Sequence, residues 1–201
     1  MRTALANPIS KKKLLDAAEQ LMLAKGFEAT SVEEICEKAR LTKGSFFHYF
    51  ESKKVLGEDV LNRFVAAMSE CFQQAPFHKE SDPLKRVYGY LDFAIQISRD
   101  PKAPQGCLLG IFSQELSDCC PQIRSLCAKH FSQWTEQLRG DLAKAKAKYA
   151  PKRVLDPHSL AEHIIAVMEG SLILARANKD RRVIEQGLKH LKQYLKSLFQ
   201  R

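Results

Sequence analysis

The sequence predicts an all-α protein of about nine helices, with two short helices joined by a tight turn near its N-terminus and a longer helical region after them. Three observations carry this. Apolar residues recur at helical spacing almost throughout, and no convincing strand alternation appears. Capping residues stand where apolar runs begin: Ser31 with Glu34 three positions on, Thr42, and Ser52. Proline and glycine fall between the periodic segments.

Taken in order, Ser10 is expected to cap a first helix whose apolar face is Leu14, Leu15, Ala18, Leu21 and Met22, with Gly26 closing it in a left-handed conformation. Ser31 and Glu34 form a capping box for a second helix through Ala39; Arg40 and Leu41 turn the chain. Thr42 caps a third helix ending near Phe50, and Ser52 caps a long fourth from Lys53 to about residue 74. "PFHKESDP" punctuates the chain before a helix from Pro83 to Arg99. "DPKAPQG" leads into "CLLGIFSQEL", and after "SDCCP" a helix runs from Pro121 to Tyr149. Helices over 158–177 and 180–199 finish the chain. The expected domains are residues 1–54 and 55–201.

The 201 residues suffice for a substantial core, and 45% apolar with 27% charged content is ordinary globular composition. No apolar run of about 18 residues is present to span a membrane, and "MRTALANPISKKK" lacks a signal peptide's apolar centre. A cytoplasmic location and no membrane partner are expected. The six cysteines form no C-x-x-C pair and no zinc-like ligand set, so no metal or cofactor is expected and buried packing is the plain reading of most of them. His158 and His163, five apart, share no helix face, and no nucleophile elbow, P-loop or dinucleotide fingerprint occurs. An enzyme is not expected. The net charge of +9 suits a polyanionic partner, yet residues 139–201 carry 14 basic and 6 acidic side chains, so most of the excess is C-terminal. Near the N-terminus Arg2, Lys11, Lys12 and Lys13 precede any acid, and Lys38, Arg40, Lys43, Lys53 and Lys54 cluster.

In "TKGSFFHYFESKKVL", Phe46 and Phe50 are four apart and share a face, which makes them core with Val32, Ile35, Ala39 and Leu41. Phe47, His48 and Tyr49 then point elsewhere, behind a tip made of Thr42, Lys43, Gly44 and Ser45. This is the layout of a helix-turn-helix whose second helix enters the major groove of double-stranded DNA by its leading residues. Lys43 is suited to guanine, and Lys53 adds charge at the next helix start, suited to a phosphate. "TSVEEICEKARLTKGSFFHYFESKKVL" resembles the TetR family signature, and the first ~60 residues match it with spacing kept. The resemblance implies a homodimeric transcriptional repressor with an N-terminal DNA-binding domain and a C-terminal ligand-binding domain. It places Ser31 and Lys53 at phosphates, and Thr42, Lys43, Gly44, Ser45, Phe47, His48 and Tyr49 in the recognition helix. Arg40 stands where glycine is common, and Phe47 where tyrosine is usual.

Farther on, Leu160, Ile164, Met168 and Leu172, and then Ile184, Leu188, Leu191 and Leu195, form narrow stripes. They suit a four-helix interface between two subunits, with Gly170 permitting close approach; packing within one chain is the alternative. A dimer would fit a palindromic operator. "GCLLGIFSQELSDCCPQIR" resembles a stretch of the TetR subgroup that includes the repressor of an N-ethylmaleimide reductase, which senses electrophiles at the cysteine aligned with Cys107. Physically, Cys107 opens a helix, where a thiolate is stabilised, and Cys119 and Cys120 are candidate resolving thiols. Inert packing is the other reading of Cys107. A non-covalent small-molecule effector would instead meet Tyr90, Phe93, Phe112, Phe131 and Trp134, which are equally consistent with plain core. The rival to a DNA-binding regulator is a helical scaffold for protein partners.

Overall fold

The structure, a computed structural model, describes residues 8–104 and 106–199. Among these it forms nine α-helices: α1 (Pro8–Lys25), α2 (Val32–Ala39), α3 (Lys43–Tyr49), α4 (Lys53–Gln73), α5 (Pro83–Arg99), α6 (Leu108–Leu116), α7 (Pro121–Tyr149), α8 (Pro157–Asn178) and α9 (Arg182–Phe199). A 3₁₀ turn, Pro76–Lys79, fills the break before α5. No described residue lies in a strand. The helices gather into two compact units, one of residues 1–67 with 107–127, the other of residues 68–106 with 128–201. The unit holding the helix-turn-helix is thus longer than residues 1–54 and discontinuous in sequence. Arg2 lies outside the described residues.

In the first unit, α1 buries Leu14, Ala17, Ala18 and Met22. Ser10 already lies within α1 rather than capping it, because Pro8, which has no amide to satisfy, occupies the first turn. Gly26 takes φ +92 and its amide donates to the Met22 carbonyl at 2.9 Å. The capping box of α2 is complete: the Glu34 amide donates to Ser31 Oγ (3.2 Å) and the Ser31 amide to Glu34 Oε2 (2.8 Å). Its other end closes as a Schellman motif, with Arg40 at φ 55, the Arg40 amide on the Glu37 carbonyl (3.0 Å) and the Leu41 amide on the Cys36 carbonyl (2.9 Å). Arginine therefore adopts the left-handed conformation for which glycine is the usual residue. Thr42 caps α3 by accepting the Ser45 amide at 3.1 Å, and Ser52 accepts the Val55 amide at 3.3 Å where α4 begins. α6 buries Leu108, Leu109, Phe112 and Leu116. Phe112 lies edge-on to Phe27, with ring centroids 5.3 Å apart.

The second unit has its own core. α5 contributes Leu84, Val87, Tyr90, Leu91, Ala94 and Ile95, and α7 Leu138, Leu142 and Ala145; Ala75, Phe77 and Ala150 add to these from the connections, and α8 and α9 complete the core. Arg86 grips Asp141 with both Nε and Nη2 (2.9 and 2.6 Å to Oδ1), tying α5 to α7. The stripes read as a seam between subunits are occupied within the chain. Leu160, Ile164, Ile184, Leu188, Leu191 and Leu195 are all buried, and Met168 and Leu172 pack half-buried against the same core. A seven-residue repeat serves a groove between neighbouring helices of one chain as well as a seam between two. The outer faces of α8 and α9 instead expose Ile173, Leu174 and Tyr194. Within the chain, a Cβ on Gly170 would meet nothing within 4 Å, whereas one on Gly187 would strike Ser171 Oγ.

Candidate nucleic-acid interface

α3 is seven residues long and cannot hold itself in place; two rings fix it. Phe46 is 0% exposed and Phe50 2% exposed, with centroids 5.7 Å apart. With these as anchors, the intervening positions must face outward: Phe47 is 57% exposed and His48 exposed, while Tyr49 is half-buried. Phe46 backs the Phe47 ring edge-on at 5.2 Å, and Tyr49 backs His48 at 4.8 Å. Thr42, Lys43 and Gly44 stand exposed at the tip, with Ser45 half-buried behind them. The predicted reading residues are therefore brought together on one short helix with its leading end open. Such a helix is suited to a major groove.

The flanking cations are not idle. Lys43 pairs with Glu33 on α2, and that contact is the leading reason the Glu33 carboxyl is held below its usual range. Lys11 pairs with Asp59 at 2.9 Å, its ammonium 5.2 Å from the Phe50 ring centroid. Ser31 is committed to the α2 cap on both counts: its Oγ accepts the Glu34 amide, and its hydroxyl hydrogen-bonds the Glu34 carboxylate. Lys53 is the most constrained: Nζ donates to the Phe27 carbonyl (3.0 Å) and reaches the Glu28 carbonyl (3.5 Å), 4.3 Å from the Phe27 ring centroid. Sequence reasoning missed Glu33 and Glu115. Glu115, on α6, accepts the amides of Phe27 (2.7 Å) and Glu28 (2.9 Å) on one oxygen. A partner 88 residues away leaves no local signal.

The effector candidates are divided between the units. Cys107 occupies the N-cap position of α6 without a side-chain capping hydrogen bond, Cys119 is exposed with its thiol against the Leu116 carbonyl (3.7 Å), and Cys120 is buried. Phe112 is wholly buried, a core residue. Burial pushes the Cys36 and Cys127 thiols up, which suits packing. Phe131 and Trp134 belong to the second unit and stack at 6.3 Å. The Trp134 indole donates to Tyr90 Oη (2.7 Å), and that hydroxyl donates to the Met168 sulfur (3.8 Å). The same unit has a groove of about 430 Å³ along α5, lined by Phe77, Tyr88, Gly89 and Phe93. Among the described residues there is no cluster of potential metal ligands, and no helix is long and apolar enough to cross a membrane.

An outward helix held by its own buried rings defines the class, a helix-turn-helix DNA reader. The profile described as "Bacterial regulatory proteins, tetR family" matches residues 14–60, and "Tetracyclin repressor-like, C-terminal domain" matches residues 83–191. The chain belongs to the TetR family. It is a DNA-binding transcriptional regulator and not an enzyme. It is 27% identical to the transcriptional repressor DhaR of Mycobacterium sp. (strain GP1) over 89% of this chain and 88% of that one. It is 26% identical to the transcriptional repressor NemR of Escherichia coli K12, covering 91% and 92%. The solved reduced form of E. coli NemR superposes with a TM-score of 0.75 over 92% of this chain and 96% of that one, at 26% identity. A TetR regulator from Chloroflexus aurantiacus gives 0.82 over 92% and 93%, and its 24% identity speaks for the fold.

Proposed function

We propose that the chain is a cytoplasmic repressor that binds a palindromic operator as a homodimer and leaves it when a small-molecule or electrophilic effector binds. The observation that carries this is the open tip of α3, Thr42 to Ser45, presented by buried Phe46 and Phe50. One such helix offers few contacts; two, in successive major grooves about 34 Å apart, read a palindrome. We assign pairing to the outer faces of α8 and α9, where Ile173, Leu174 and Tyr194 are exposed. The DNA-contacting residues lie within residues 1–54, and the later residues serve effector binding and dimerisation, except for 107–127, which pack with the DNA-binding end. The repressor names of DhaR and NemR support the sign of the regulation.

The electrophile arm rests on Cys107. Its place at the N-terminus of α6 favours a thiolate, the form that attacks electrophiles, with Cys119 and Cys120 as resolving thiols. The non-covalent arm rests on the aromatic residues Phe131 and Trp134 beside Tyr90. Either effector must bind the DNA-free state more tightly than the bound one.

The test is selection of a duplex from a random-sequence pool, then fluorescence anisotropy on that duplex, before and after N-ethylmaleimide, for the wild type and Cys107→Ser. Enrichment of a palindrome and salt-dependent binding are expected, with loss of binding on alkylation in the wild type only. Alkylation without effect on the wild type overturns the electrophile arm and leaves the non-covalent one. No enriched sequence overturns the reading in favour of a protein scaffold.

A further inference from the structure

The turn between α1 and α2 is gripped from two sides of opposite polarity. Its amides, those of Phe27 and Glu28, donate to Glu115 on α6 at 2.7 and 2.9 Å. The carbonyls of the same two residues receive the Lys53 ammonium at 3.0 and 3.5 Å. The Phe27 ring completes the arrangement, with Phe112 against its edge, the Lys53 ammonium 4.3 Å from its centroid, and Gly57 so near that an added Cβ would stand 2.7 Å from Cε2. Gly26 is constrained likewise, since a Cβ there would strike the Glu115 carboxylate. One two-residue turn thus transmits the position of a carboxylate on α6 to an ammonium at the start of α4.

We infer that Glu115 is a positioning residue for DNA binding: by holding the Phe27–Glu28 turn it docks Lys53 in one pose, so that α6 sets the strength of a phosphate contact it does not make. A solvated lysine loses most of its rotamer freedom on binding, whereas an ammonium already docked on two carbonyls has lost much of it and keeps a donor for a phosphate. The inference rests on the reading of Lys53 as a phosphate contact. It also gives α6, whose N-cap position Cys107 occupies, a route to the DNA-binding end that lies within one compact unit.

The test is a double-mutant cycle on affinity for the selected duplex, measured from 50 to 300 mM salt with wild type, Lys53→Ala, Glu115→Ala, the double variant and Glu115→Gln. Lys53→Ala is expected to weaken binding about tenfold and to lower the salt slope by about 0.9, the loss of one phosphate contact. Glu115→Ala should reproduce most of both changes, and the double variant should be no weaker than Lys53→Ala. Glu115→Gln, which keeps an oxygen to accept both amides, should stay within about twofold of wild type. Should Glu115→Ala fail to fold, Glu115→Asp takes its place, since the shorter side chain draws the carboxylate away from the amides. Additive losses, or an affinity loss in the Glu115 variant with an unchanged salt slope, overturn the inference while leaving the DNA-binding reading intact. No effect of Lys53→Ala overturns it by removing its premise; no binding by wild type overturns both readings.

Discussion

The Lys43 ammonium lies against the Glu33 carboxylate across the turn from α2 to α3, so the leading cation of the reading helix is already paired in the DNA-free protein. A base edge must compete for it, and Glu33 itself would face a polyanion. Glu33→Gln is therefore expected to tighten binding to the selected duplex, by about threefold at 50 mM salt, with the gain shrinking as salt screens the pair. Anisotropy titrations decide it. Weaker binding by the variant would mean that Glu33 holds Lys43 in its working pose instead.

Adjacent phenylalanines should behave oppositely. Phe46→Ala removes a fully buried ring and is expected to cost about 3–5 kcal/mol of stability by urea unfolding. Phe47→Ala removes a ring that is 57% exposed and should leave stability within about 1 kcal/mol while weakening operator binding about tenfold. An exposed phenyl ring on the reading helix is suited to a thymine methyl, and a binding loss equal on every duplex would exclude that contact.

Arg40 holds φ 55 without being glycine. A Cβ in the left-handed region costs roughly 1–2 kcal/mol, part of which glycine returns through its freer unfolded chain. Arg40→Gly should raise stability by up to about 1 kcal/mol, and Arg40→Val should lower it by more than that. A glycine variant that unfolds earlier than wild type would refute the strain argument.

Acid should loosen the fold through Glu34. The Lys25 ammonium hydrogen-bonded to it, helped by the Ser31 amide and hydroxyl, draws its carboxyl from 4.5 to about 2. Glu185 reaches about 2 through Arg99 and Lys189. A pKa depressed by folding contributes stability that is whole above about 4.5 and is lost as pH falls toward 2. Glu34→Gln keeps the reach of the capping box but has no proton to gain. Its thermal midpoint should fall less steeply than wild type between pH 4.5 and 2, and identical slopes would rule Glu34 out.

Residues whose partners are close in sequence were the legible ones. Ser31 with Glu34, Thr42 with Ser45, and Phe46 with Phe50 are each three or four apart, and the helix-turn-helix follows from them. Ser10 misled because a proline two residues earlier can begin a helix unaided. The stripes on α8 and α9 gave their period correctly but not their partner, since an apolar seam carries no mark of whether it faces its own chain or a copy. Glu115 was invisible for a plainer reason: its geometry is set by amides 87 and 88 residues away.

The discontinuous first unit bears on how such regulators are cut and recombined. A fragment ending at residue 67 keeps every helix of the helix-turn-helix, yet it strips Phe112 from beside Phe27 and leaves the Phe27 and Glu28 amides without Glu115. The DNA-reading module of this chain is therefore not a single stretch of coding sequence. A chimera that grafts it onto a foreign sensor would have to carry residues 107–127 along with the first 67, or a sensor whose own α6 supplies an aromatic ring and a carboxylate three residues apart.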